Sequence, residues 1–192
     1  MTGGLASGKS FVAAAFAELG CHVVEADALG HELMQPGTPA HATIVQAFGR
    51  AILTDAGTID RQALASIVFA DPEALRKLNA IVHPAVRELS LRRFAETDRP
   101  IGIYVAAILV ETGAYRDFAK LIVTACAREQ QIERALARPR ATEADVFARL
   151  ARQLPLKKKT DAADYIIDTG GTVAETLRQT KMVYEDLRRL AS

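Results

Sequence analysis

Eight residues near the amino end, Gly3-Gly4-Leu5-Ala6-Ser7-Gly8-Lys9-Ser10, constrain this chain more than any other stretch. They satisfy G-x-x-x-x-G-K-[ST] at every fixed position. Glycines at both ends let the backbone wrap closely, so that successive N–H groups point inward as donors to a polyphosphate. From Lys9 to Leu19 an apolar face forms at Val12, Phe16 and Leu19 and stops at Gly20, which sets the positive end of a helix against the phosphates. Gly3, Gly4, Ala6, Ser7, Gly8 and Phe11 are the expected nucleotide-binding positions beside Lys9 and Ser10. Lys9 is expected on the β and γ phosphates and the Ser10 hydroxyl on a magnesium ion.

Beyond the loop, short runs rich in Val and Ile alternate with longer helical ones, the pattern of an α/β fold. Strands are expected at Cys21 to Ala26, Ile101 to Val110, Lys120 to Ala127 and Tyr165 to Asp168. Between the first two lies a block from Ala28 to Arg99 that reads as helix throughout, too long for a simple crossover. Thr38-Pro39, Asp60 and Asp71-Pro72 offer N-caps there, and Gly49 can close a helix. Thr172 and Glu175 form a capping box for a last helix reaching about Leu190. Only Met1 and Thr2 precede Gly3, fewer than the usual strand of about five or six residues. The strand that leads into such a loop is therefore expected to be missing here, with the natural chain starting upstream.

The 192 residues fit one domain with an inserted lobe. No apolar run approaches the roughly 18 residues of a membrane span, and no basic segment followed by an apolar one marks the chain for export, so a cytoplasmic, membrane-free protein is expected. Cys21 and Cys126 sit in apolar stretches without a C-x-x-C partner and read as small core residues. The 24 basic and 23 acidic side chains nearly balance, but residues 128–159 hold nine Lys or Arg against four Asp or Glu. One basic segment in a balanced chain favours a small anionic ligand over nucleic acid, with a solvated helix surface as the plain alternative.

A phosphate cradle serves kinases, GTPases, motors and switches alike, so other residues must set the class. Asp27-Ala28-Leu29-Gly30 matches the D-x-x-G of GTPases, yet [NT]-K-x-D occurs nowhere. In a parallel sheet the end of the strand before Asp27 faces the ligand crevice. A carboxylate there can take the proton of an acceptor hydroxyl, or it can cap the helix that begins near Ala28. Likewise His83 before Pro84 can cap or break a helix, and Lys157-Lys158-Lys159 reads as a solvated run.

Taken together, these segments resemble the dephospho-CoA kinases. The similarity runs from Thr2 to about Thr172 through TGGLASGKS, EAD followed by HELMQPGTPA, LNAIVHPAV (78–86), LVETGAY (109–115), REQQIERALAR (128–138), ARLARQ (148–153) and K-x-x-x-ADYIID (159–168). The resemblance implies a P-loop NTPase fold of three α/β/α layers around a parallel sheet. It implies a core of residues 1–27, 100–137 and 160–192, a helical substrate lobe over 28–99 and a lid over 138–159. The implied reaction is ATP-dependent phosphorylation of the ribose 3′-hydroxyl of dephospho-CoA, with Mg²⁺. Asp27, Lys9 and Arg138 are the implied catalytic residues, and Asp27, His83, Leu109 and Glu111 the implied substrate positions. Arg149 joins the nucleotide side, and Arg134, Arg138 and Arg149 belong to the basic lid segment, where arginines would stabilise the transferring phosphoryl group and exclude water. Pro139 and Pro155 bracket a lid helix started by Thr142, with Asp145 at its third position.

Three positions depart from the family pattern: Glu25 stands for an aspartate, Ala107 for a proline, and Thr169 for an asparagine near the adenine. The same-fold alternative is a nucleoside or nucleotide kinase, and the non-enzymatic one is a nucleotide-binding switch. A monomer or weak homo-oligomer is expected.

Overall fold

The computed structural model describes residues 1–139 and 141–191; Arg140, counted in the basic run, and Ser192 lie outside them. The chain divides into two compact units, Met1–Val23 with Asp98–Ser192, and Val24–Thr97.

The first unit is a parallel sheet between helices. It uses β1 (Thr2–Gly3), the start of β2 (His22–Glu25), β3 (Gly102–Val105), β4 (Ile122–Ala125) and β5 (Tyr165–Asp168). β1 pairs with β4 in parallel, Thr2 opposite Val123 and Gly3 opposite Thr124, and β4 pairs with β5 from Ile122–Tyr165 to Ala125–Asp168. β2 pairs with β3, where His22 N–H donates to Ile101 O at 2.9 Å.

Thr2 and Gly3, directly before the loop, form β1, with β4 as its ladder partner. The Met1 ammonium donates to Tyr104 O, and Met1 O accepts from Ala106 N–H at 3.1 Å. These bonds join the two pairings into the order β2-β3-β1-β4-β5. Burial lowers the Met1 ammonium from its ordinary pKa of 8.0 to about 5.

Alternating side chains of β4 explain the layering. Ile122 faces a cluster with Val12, Phe16, Ile103, Ile167 and Val183, built on α1 (Lys9–Glu18) and α9 (Val173–Leu190). Val123 faces the opposite cluster, with Leu109, Leu121, Leu156 and Ala162, built on α8 (Leu156–Asp161) and the turn after β3. A third cluster joins α6 (Arg128–Leu136) and α7 (Glu143–Ala151) through Ala135, Val146 and Leu150 to Leu5 and Ala6 of the glycine-rich loop. Both expected caps form: Thr142 Oγ1 accepts from Asp145 N–H at 3.2 Å, and Thr172 accepts from Glu175 N–H while Glu175 accepts from Thr172 N–H. Cys21 and Cys126 are buried free thiols, and burial pushes Cys21 up to about 11.

The second unit holds α2 (Ala26–Leu33), α3 (Pro39–Phe48), α4 (Arg61–Ala70) and α5 (Pro72–Ala95) around Ile44, Ile52, Ile59, Leu64 and Val68. Thr38, Asp60 and Asp71 cap α3, α4 and α5 with their side chains, and Gly49 ends α3 at φ +81°. The block is not helix throughout, since Leu53 and Ile59 form an antiparallel bridge. Nor does His83-Pro84 end a helix. Pro84 lies inside α5, which tolerates a lost backbone donor because Leu78, Ile81 and Val82 pack on one side of it in sequence and Val86 is buried on the other.

Candidate active site

Sterics shape the loop first. A Cβ on Gly3 would stand 2.2 Å from Thr124 Oγ1 and 2.6 Å from Thr124 O, and one on Gly4 would stand 2.4 Å from Gln131 Oε1. Gly8 holds φ +77°, and Ala6 takes a positive φ of 53° despite its side chain. The loop is thus folded against β4 and α6, and only glycine lets it lie that close.

Polar groups underneath hold the shape. Ser7 Oγ donates to Gly4 O at 2.9 Å and shares a 2.8 Å hydrogen bond with Thr124 Oγ1, both side chains fully buried. Thr169 Oγ1 lies 3.1 Å from both Ser7 O and Ala125 O, and its methyl group packs against Gly8. Gln131 Nε2 donates to Cys126 O at 3.2 Å, which fixes its carbonyl beside Gly4.

Lys9 and Ser10 open α1 immediately after Gly8. Lys9 Nζ donates to Gly4 O at 2.7 Å and to Gly3 O at 3.3 Å, so the ammonium sits over the mouth of the loop. Ser10 and Phe11 are exposed there. A cavity of about 690 Å³ opens beside Gly4, lined by Arg128, Gln131, Phe147, Leu150 and Leu154. That volume is within the roughly 300–1,000 Å³ of small-molecule sites.

The other candidates fall in different places. Leu109 is buried in an apolar cluster, so its side chain serves packing. Glu111 Oε1 pairs with Lys159 Nζ at 2.7 Å and accepts from Leu154 N–H at 3.1 Å, while its Oε2 is buried without a hydrogen-bond partner. Lys159 corrects the reading of a solvated run: Lys157 is exposed and pairs with Asp161, whereas Lys159 is fully buried. Arg134 is on α6, where Nη2 donates to Thr169 O at 2.8 Å. Arg138 follows α6 and Arg149 lies in the last turn of α7, both exposed. Asp27, in the first turn of α2, and His83, on α5, are exposed residues of the second unit. Two aspartates of ADYIID are structural. Asp164 accepts from Leu121 N–H and pairs with Lys120, which together hold its carboxyl below the usual range, and Asp168 accepts from Gly170 N–H at 2.7 Å.

Sequence reasoning missed Thr124, Gln131 and the burial of Lys159. The signal for Thr124 was visible in retrospect as a lone hydroxyl inside the apolar run Leu121 to Cys126, since a buried polar side chain needs a partner.

The family model for dephospho-CoA kinase (CoaE) matches residues 1–175. The chain belongs to the dephospho-CoA kinase family. Curated dephospho-CoA kinases agree along its length. That of Geobacter sulfurreducens is 42% identical over 187 residues, covering 96% of this chain and 95% of the relative. That of Aquifex aeolicus is 42% identical over 190 residues, covering 98% and 96%. Among solved structures, TT1252 from Thermus thermophilus superposes with a TM-score of 0.87 at 31% identity, covering 97% of this chain and 95% of that one. The dephospho-CoA kinase from Campylobacter jejuni gives 0.71 at 26% identity, covering 100% and 96%. Membership of this kinase family implies ATP as a substrate. Among the described residues no helix is long and apolar enough to cross a membrane.

Proposed function

We propose that this chain transfers the γ-phosphoryl group of ATP to the ribose 3′-hydroxyl of dephospho-CoA, giving CoA and ADP, the closing step of CoA biosynthesis. The observation that carries this reading is the match to dephospho-CoA kinases across nearly the whole chain, glycine-rich loop included.

The loop amides and the amino end of α1 hold the phosphates, and Lys9 moves its ammonium onto the β and γ oxygens. The donor set fits a magnesium ion. Among the described residues no group of three or more His, Cys, Asp or Glu gathers to cage a metal, whereas the exposed Ser10 hydroxyl beside a phosphate cradle suits an ion that keeps water and phosphate oxygens. When bound, Mg²⁺ neutralises charge on the β and γ oxygens.

In the transfer, the 3′-oxygen bonds to the γ phosphorus, the bond to the β–γ bridging oxygen breaks, and ADP leaves. Asp27 accepts the hydroxyl proton as general base. The helical unit, with His83, recognises the CoA moiety. Residues 138–159 act as a lid whose Arg138 and Arg149 meet the transferring group and keep water out. Thr169 supports the loop from below, so base recognition falls to other groups.

A coupled ADP-release assay with dephospho-CoA as acceptor, run beside nucleosides and nucleotides under identical ATP, tests the assignment. CoA formation that depends on Lys9 is expected. Faster transfer to a nucleoside, or ATP binding without any phosphorylated acceptor, would overturn it.

A further inference from the structure

Gly3 O, the carbonyl that opens the phosphate loop, is approached by two ammonium groups. Lys9 Nζ lies 3.3 Å from it, and Lys159 Nζ reaches the same oxygen at 3.4 Å from a fully buried position. The two lysines differ in freedom. Lys9 is half-buried at the start of α1, on a flexible four-carbon stem. Lys159 is tied to Glu111 Oε1 at 2.7 Å and to Ala107 O at 2.8 Å, in the turn after β3.

Work on phosphates takes Lys9 away from the carbonyls it now holds. A buried carbonyl that loses its donor bears a desolvation penalty, and a loop carbonyl freed to rotate would turn its oxygen toward incoming phosphate. Lys159 needs no movement to keep its bond to Gly3 O.

We infer that Lys159 is a positioning residue for nucleotide loading: its ammonium keeps the Gly3 carbonyl directed into the protein while Lys9 transfers to the phosphates. It touches neither substrate and acts through the backbone of the loop. The inference rests on Gly3 to Ser10 being the nucleotide cradle.

The test pairs Lys159→Met with Glu111→Gln, so that no unpaired buried charge remains. ADP titrated calorimetrically into this folded double variant should bind about tenfold more weakly than to wild type, the effect of one lost hydrogen bond. The KM for ATP should rise in step. A purely structural role would lower the melting temperature and leave ADP affinity of the folded protein unchanged, and that result would overturn the inference.

Should the variant fail to fold, lysine-ammonium NMR on ¹⁵N-labelled wild type carries the test. The buried Lys159 ammonium should give a slowly exchanging signal that shifts on adding ADP, and an unmoved signal would overturn the inference equally. Wild type that binds no ADP would instead overturn the reading of the cradle.

Discussion

Ser7 Oγ and Thr124 Oγ1, 117 residues apart in sequence, meet at 2.8 Å beneath the phosphate loop. With the Ser7 proton directed at Gly4 O, Thr124 is the donor in the shared bond. Thr124→Val keeps the shape and removes that donor, leaving Ser7 Oγ short of a partner. The expected cost is about 1–2 kcal/mol in urea unfolding, with a few-fold rise in the KM for ATP. Unchanged values of both would show the hydroxyl pair to be incidental.

Gly3→Ala puts a methyl group where Thr124 Oγ1 stands 2.2 Å away and Thr124 backbone oxygen 2.6 Å away, so the loop has to move. A displacement of about 1 Å costs on the order of 10²-fold in rate, and the steady-state assay should show at least that. Gly30 is the control. Nothing lies within 4 Å of its Cβ position, and it sits within α2, so Gly30→Ala should raise stability by roughly 0.5–1 kcal/mol. Equal losses from both substitutions would contradict the steric argument.

Asp27→Asn separates binding from chemistry. As general base, Asp27 should contribute roughly 10²- to 10⁴-fold to kcat, and the exposed amide should leave ATP affinity within twofold. Normal turnover in this variant would remove Asp27 from the mechanism.

Local chemistry was legible in the sequence wherever a residue acts on its near neighbours. Gly3 to Ser10, the caps at Thr38, Asp60, Asp71 and Thr172, and the strand Tyr165–Asp168 all form as read. What stayed hidden depends on partners distant in sequence. Thr2–Gly3 pair with β4, whose residues lie more than a hundred positions away, and Pro84 stays inside α5 because packing outweighs one lost donor. Lys159 looks like its exposed neighbours, and its burial is decided by Glu111 and Ala107. For the candidate site, the glycine-rich turn and the helix that opens after it were readable from the motif, whereas their supports Thr124 and Gln131 sit on elements that only folding brings beneath the loop.

Gly4 is not a fixed position of the loop motif, yet Gln131 fills the space where its side chain would go. Positions 4 and 131 are therefore coupled: alanine at the first obliges the amide end of Gln131 to swing aside, at the expense of its hydrogen bond to Cys126 O, and a shorter side chain at 131 would make room without that loss.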